Sequence, residues 1–371
     1  PTVSVATPGH WLDKAAWWAW LLCCALLPIH GGWLPIPLAL AVMLPLLRFR
    51  SFRPKLDLRL LGALFAWYAW HVVGMLWTTD LDFGAFDLQV KLGAVLLPIA
   101  AAVITTMRPD ALRTSMLAFT GGATMAMVLS VIKAMECHAG GGVACFTQSA
   151  FSFQLHPSYA AWYITWSLAY WGYALLERTI PQIQVRRAIV VVIALQVVHL
   201  VLLASKSGVI GLALVLLFLT VNVTRRYHGR TRTMMLGTGA LVLAMALWAG
   251  GGVAAARMRV AIDALQRALE GDPTLSSSDA GSEMRLMAWS CSWHLLTTQP
   301  LGTGTGDVKN ELVDCYTKRG AVHAAEQRLN SHSQFLQGGA ALGWPGLSLA
   351  MLVGLVPLLI GLRYKRPLLT I

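Results

Sequence analysis

LQVKLGAVLLPIAAAVITTM, residues 88–107, is a twenty-residue run with a single charge, Lys91. A bilayer's hydrocarbon core is about 30 Å thick and takes about 20 apolar residues of helix. A helix also satisfies its backbone hydrogen bonds internally, which water cannot do for it there. Runs of this kind recur near 15–31, 33–47, 60–77, 88–107, 115–135, 158–176, 188–204, 208–223, 234–253 and 343–362. The composition agrees. Of 371 residues, 56% are hydrophobic and 12% charged, too apolar for a soluble domain and too long for one anchor. The expected fold is all-α: a polytopic transmembrane helical bundle of ten spans with one large helical loop. No small-residue cleavage pattern of a signal peptide follows the first apolar run.

The net charge of +12 raises nucleic acid as a partner, and its distribution argues against it. Basic residues gather in short loops: Arg48, Arg50, Arg53, Lys55 and Arg59; Arg108 and Arg113; Arg178, Arg186 and Arg187; Arg225, Arg226, Arg230 and Arg232; Arg363, Lys365 and Arg366. Threading ten spans puts all these loops on one face, which the positive-inside rule makes cytoplasmic. The partners expected from this pattern are membrane lipids, with no nucleic acid. Three regions follow: a bundle of about nine spans over 1–253, an outer loop over 254–342, and a last span with its cytoplasmic end over 343–371. The outer loop carries eight basic residues against nine acids, so a basic site there must come from placement.

Cys23 and Cys24 fall within the first span and read as packing residues. Cys137, Cys145, Cys291 and Cys315 fall outside, where disulfides persist if the space is oxidising. Cys137 and Cys145 flank the turn HAGGGVA and form the favoured pair, and a Cys291–Cys315 bridge is also open.

Inside the outer loop, a helix is expected to continue from span nine to Gly271-Asp272-Pro273. A second starts near Ser282 and stops before Pro300, and a third covers about 308–330. Leu286, Trp289, Trp293 and Leu296 recur at helical spacing. Arg285 then falls in the first turn of its helix, where unpaired N–H groups and the dipole attract anions. An arginine there is unfavourable unless an anion or acid compensates it. It is either a phosphate ligand or a partner of Glu283 or Asp279. Lys206, in the turn ASKSG between spans seven and eight, is a snorkelling lysine or a second cation facing a lipid phosphate. His332 stands at the outer mouth of the last span, as a hydrogen-bonded structural residue or as a base for a hydroxyl. Gly302, Gly304 and Gly306 read as a turn. Asp80 and Asp82 form the one D-x-D, a solvated loop or a divalent-cation pair. No Cys/His cluster has zinc spacing. Within the spans, His71 and His199 read as interhelical hydrogen-bonding or functional residues.

Several of these residues lie in motifs that resemble those of the O-antigen ligase superfamily. SEMRLMAWSCSWHLLTTQPLGTGTGDV is similar to its arginine, a tryptophan four residues on, and a later P-x-G-x-G-x-G. His332-Ser333-Gln334-Phe335-Leu336 resembles its histidine motif, with serine at 333 for asparagine. Ser205-Lys206-Ser207-Gly208 is similar to its Ser-Arg-Ser/Gly turn, with lysine for arginine, which keeps charge and loses the bidentate fork. FQLHPSYAAWY, residues 153–163, resembles segments of related polymerases that contain His156. The family has about twelve spans against the ten counted here.

The resemblance implies a GT-C-like glycosyltransferase of the bacterial inner membrane with a periplasmic site. It would move a glycan from undecaprenyl diphosphate to a sugar hydroxyl of lipid A-core. It implies Arg285 and Lys206 on the diphosphate and His332 as general base, with inversion at the anomeric carbon and no metal or cofactor. His156, Asp80 and Asp82 come next in line. A polymerase or a protein-directed transferase of the same superfamily is the neighbouring reading, and a lipid-linked glycan flippase the non-enzymatic one.

Overall fold

The computed structural model describes residues 11–47, 58–241 and 281–363, together with 244, 259, 262, 263 and 266, with backbone alone at 58–60, 281 and 282. Every regular element described is helical. The expected span 234–253 falls largely outside the described residues, as do most of the helix expected beyond it, Asp279 and the basic cluster at 48–55.

Five described helices are long and apolar enough to cross a membrane: α4 (Leu81–Met107), α5 (Ala111–Ala139), α8 (Ile183–Leu202), α9 (Lys206–Arg226) and α14 (Gln334–Arg363). The others are α1 (Trp11–Leu26), α2 (Pro35–Leu46), α3 (Leu58–Val73), the short α6 (Gln148–Phe151) and α7 (Pro157–Leu176). A helical run α10 is described over 229–241. Then come α11 (Gly281–Thr298), α12 (Val308–Lys318) and α13 (Val322–Glu326). Prolines mark the starts. Pro35 and Pro157 stand in the first turns of α2 and α7, where a missing N–H costs nothing.

The chain divides into two compact units. The first is built from Pro1–Pro54 and Ala100–Met258, the second from Lys55–Ile99 and Arg259–Ile371.

In the first unit α1 packs on α2 and α5, and α7 packs on α5, α8 and α9. Small residues let backbones approach. A Cβ on Gly122 of α5 would run into the backbone of Ala25, the small-residue contact that membrane helices favour. Polar side chains link the helices within it. Gln196 of α8 donates to Ser167 of α7 at 2.9 Å and to Thr124 of α5 at 3.3 Å. The buried His199 lies 4.9 Å from the Phe151 ring, centroid to centroid, and its Nδ1 has no hydrogen-bond partner.

In the second unit α14 packs on α3 and α11, and α12 packs on α11 and α13. His71 turns back on its own helix, with Nδ1 2.8 Å from the Trp67 carbonyl. The expected helix over 308–330 is two helices. Gly320, at φ 70°, ends α12. The Ala321 N–H donates to the Tyr316 carbonyl at 2.8 Å and the Gly320 N–H to that of Thr317 at 3.1 Å, the paired bonds of a Schellman stop. Around it Ala288, Cys291, Leu295, Leu312, Tyr316 and Leu342 form a buried core, and Cys291 and Cys315 are joined in a disulfide between α11 and α12.

The glycine-rich turn is part of this packing. The N–H groups of Thr303 and Gly304 donate to the carbonyls of Ala340 and Ala341 at 3.0 and 2.8 Å. Thr305 Oγ1 donates to the His71 carbonyl at 2.7 Å. A Cβ on Gly302 would collide with the Ala341 backbone, and Gly302 and Gly304 have φ of 80° and 108°. Opposite this turn α14 breaks at Leu342 and Gly343. The apolar run read as starting at 343 therefore begins at a physical break. Above it α14 extends back to Gln334.

Candidate active site

In the first unit the motifs of His156 and Lys206 come together. His156 is the N-cap of α7, and its Nδ1 accepts from the Ser158 N–H at 3.2 Å. Lys206 opens α9 and is partly buried. Between them lies a cluster of hydroxyls. Ser205 Oγ is 2.7 Å from Ser207 Oγ and donates to Ser158 Oγ at 3.3 Å, while Ser207 Oγ donates to the Ser158 carbonyl at 3.3 Å. Two helix N-termini thus meet beside a lysine and a histidine. Unpaired N–H groups and the partial positive charge of each helix end point the same way electrostatically. Ala204, two residues before Lys206, has φ 46°, a conformation that costs a non-glycine residue energy.

The approach to His156 is also held. Lys133 of α5 donates to the carbonyls of Ser149, Ser152 and Phe153, the shortest at 2.6 Å. It caps the loop that leads to His156. Cys137 and Cys145 are joined in a disulfide, with Cα atoms 5.7 Å apart, at the start of the same loop.

In the second unit His332 is exposed and has φ 47°. Its neighbours hold it there. Ser331, fully buried, donates from N and Oγ to Gln337 Oε1 at 3.0 and 2.8 Å. It also accepts from Ser292 Oγ of α11 at 2.7 Å. The His332 N–H donates to Asn330 Oδ1 at 3.0 Å. Upstream, the Tyr316 hydroxyl donates to the Leu329 carbonyl at 3.3 Å, and burial raises that phenol's pKa, keeping it a donor.

Arg285 is exposed on α11. The helix starts at Gly281, so Arg285 is its fifth residue and lies past the first turn. Its own N–H then falls to the Gly281 carbonyl in α-helical geometry. The guanidinium, and not an unpaired N–H, is what it offers an anion. Ser292 is seven residues on, two turns along the same face, about 10 Å down the axis. Arg285 therefore shares the face of α11 that meets the turn before His332. Glu283, the acid expected beside it, is buried.

Asp80 is engaged. Its Oδ1 accepts from the Phe83 N–H at 3.0 Å and its Oδ2 from Asn310 Nδ2 at 3.0 Å. Asn310 Oδ1 in turn accepts from Arg328 at 2.8 Å. Asp82 is exposed in the first turn of α4. No group of three or more His, Cys, Asp or Glu side chains is gathered for a metal among the described residues. Asp307, not singled out by its sequence, accepts from Thr79 N, Thr79 Oγ1 and Asp80 N at 2.8, 3.0 and 2.7 Å. Its one signal was its place directly after the last glycine of the turn. Ser292, Ser331 and Gln337 carried no signal, because their role exists only through contacts between elements.

Helices throughout the described residues, five of them fit to cross a bilayer, define an all-α polytopic membrane protein. Residues 189–351 match the family model described as O-antigen ligase. The match supports a glycosyltransferase of the O-antigen ligase/polymerase type, and a part in lipopolysaccharide biosynthesis. Comparison with curated proteins and with solved structures returned no match. The matched segment contains Lys206, Arg285 and His332, while His156, Asp80 and Asp82 lie before it.

Proposed function

We propose that this protein transfers a glycan from undecaprenyl diphosphate to a sugar hydroxyl of lipid A-core at the periplasmic face of the inner membrane. The observation that carries this is the family match spanning Lys206, Arg285 and His332. The chemistry follows from their residue types. A diphosphate leaves readily once its charge is matched, and Arg285 and Lys206 match it. Two cations of the chain then do what a divalent ion does elsewhere. His332, neutral, accepts the acceptor hydroxyl's proton as that oxygen attacks the anomeric carbon. The diphosphate departs from the opposite face, so the configuration inverts. The left-handed backbone at His332, held by Ser331 and Asn330, supports a positioned imidazole, since such strain gathers at functional sites.

The test is a purified reaction with lipid-linked glycan and lipid A-core, run with and without chelator. Transfer that survives the chelator and yields the inverted linkage is expected. Abolition by chelator with rescue by a divalent ion would move the chemistry to Asp80 and Asp82. A head-to-tail lengthened glycan on the donor lipid, with none on lipid A-core, would make the protein a polymerase. Topology has its own test. Cysteine placed at Ser277 should react with a membrane-impermeant thiol reagent before the inner membrane is opened.

A further inference from the structure

The turn that carries His332 holds two non-glycine residues in left-handed backbone, Arg328 at φ 46° and His332 at φ 47°. Arg328 ends the short α13. Its N–H donates to the Ala325 carbonyl at 2.9 Å, and the Leu329 N–H donates to that of Ala324 at 3.1 Å. These are the paired bonds of a Schellman stop, and Arg328 occupies the position where glycine is usual. Gly320 fills the same position after α12. An arginine there costs energy that a glycine does not. Strain of this kind persists where the surroundings hold it and the side chain has a task.

The guanidinium is tied to a second element. Arg328 Nη2 donates to Asn310 Oδ1 at 2.8 Å, and Asn310 Nδ2 donates to Asp80 Oδ2 at 3.0 Å. An amide between a donor-only guanidinium and an acceptor-only carboxylate can point only one way. The far end of this chain is anchored. Asp80 Oδ1 accepts from the Phe83 N–H at 3.0 Å, and the Asp80 N–H donates to Asp307 Oδ1 at 2.7 Å. A Cβ on Gly306 would come within 2.0 Å of the Asp80 carbonyl oxygen, so the start of α4 is packed against the glycine-rich turn. Ser331 is tied separately, to Gln337 of α14 and Ser292 of α11. The turn is therefore held at two points, one on α14 and α11, the other on α12 and the start of α4.

We propose that Asp80 and Asn310 are positioning residues, which act through Arg328 to hold the turn where His332 meets the acceptor hydroxyl. The proposal rests on the reading of His332 as the acceptor's base. A base must sit within hydrogen-bond reach of its proton, and a misplacement of about 1 Å costs up to about 10²-fold in rate. The Ser331 bonds fix the turn on one side of His332 and leave it a pivot. The Arg328 bond, four residues earlier, removes the pivot. Asp80 thereby has a task other than holding a cation, since both of its carboxylate oxygens accept from the protein.

The experiment uses the full chain in nanodiscs. Arg328→Gly separates positioning from folding, because glycine accepts the left-handed backbone while the guanidinium is lost. Its melting temperature should equal or exceed that of the wild type. Its kcat for transfer from lipid-linked glycan to lipid A-core should fall about tenfold, with the donor KM unchanged. Arg328→Lys, which keeps a donor for Asn310, should recover most of the loss. Asn310→Leu and Asp80→Ala should each lose about as much as Arg328→Gly, and pairing either with Arg328→Gly should add little, since all three cut one chain of bonds. A much larger loss in Asp80→Ala overturns the proposal in favour of cation binding, and a lower melting temperature in Arg328→Gly reduces Arg328 to a fold residue. A nitroxide on an encoded keto side chain at position 332 reads the turn without turnover. Its EPR line should sharpen in Asn310→Leu, and an unchanged line sinks the proposal. A sharpened line beside an unchanged kcat in Asn310→Leu would keep the hold on the turn and refute His332 as the base.

Discussion

The His156–Lys206 region and the Arg285–His332 region solve one problem, holding a polar side chain at the edge of a membrane bundle, in different ways. In the first, the side chains stand at the starts of two packed helices, and hydrogen bonds among Ser158, Ser205 and Ser207 link those starts. The helix ends themselves supply the field. In the second, His332 is on a turn outside any helix. A buried serine, an amide and a disulfide-linked helix pair hold that turn. Left-handed strain also falls differently: on Ala204, two residues from the lysine, and on His332 itself. A cation that matches charge needs only a general location. A base must meet one proton at hydrogen-bond distance, and tighter bracing goes with that task.

The comparison breaks most directly at His332. His332→Ala should lower transfer about 10²–10⁴-fold while still binding the lipid-linked glycan. His332→Gln should stay low, because it hydrogen-bonds but takes no proton. Near-normal turnover by the glutamine variant would make His332 a positioning group and turn attention to His156.

Next are the two disulfides. Serine replacement of Cys291 and Cys315, separated by 24 residues, should cost about 3.5 kcal/mol by loop-closure entropy. The Cys137–Cys145 pair, separated by 8, should cost about 2.6 kcal/mol. Thermal unfolding of the two double variants in detergent measures the order. The reverse order would mean that the first unit leans on its disulfide more than the second.

The cations should matter less than the base. Arg285→Ala and Lys206→Ala should each lose about 10–10²-fold in activity, the worth of a charged hydrogen bond, with weaker donor binding. Lys206→Arg should keep most of it, since the charge stays. A Lys206→Ala enzyme with unchanged donor affinity would reduce the helix-start region to architecture.

The smallest effect separates strain from chemistry. His332→Gly should be more stable than His332→Ala by about 1 kcal/mol, because glycine accepts the left-handed backbone, yet equally inactive. Equal melting temperatures would mean that the turn relaxes once the imidazole is gone.

Much of the fold was legible because its cause is local. Twenty apolar residues exclude water from a backbone wherever they occur, so α4, α5, α8, α9 and α14 follow from composition and length. Helix starts at Pro35 and Pro157 follow from a fixed φ. Gly320 carries the same kind of information, but the single helix expected over 308–330 passed across it. A glycine in polar sequence does not announce whether the chain stops or continues. The candidate site was legible as residue types at motif spacing, and the resemblance to O-antigen ligases rests on those motifs.

By itself, then, the sequence determined an all-helical membrane chain and the chemical inventory of Lys206, Arg285 and His332, since hydropathy and functional groups belong to residues one at a time. Tertiary structure alone decided what surrounds them. Ser331 is a turn residue until Ser292 and Gln337, from two other helices, bury it. Asp80 reads as half of a cation pair until Phe83 and Asn310 occupy its oxygens. Lys91 reads as one charge in an apolar run until a cavity lies beside it. The Ser292–Ser331 and Asn310–Asp80 contacts join groups far apart in the chain, and only packing that buries apolar surface brings such groups within hydrogen-bond range.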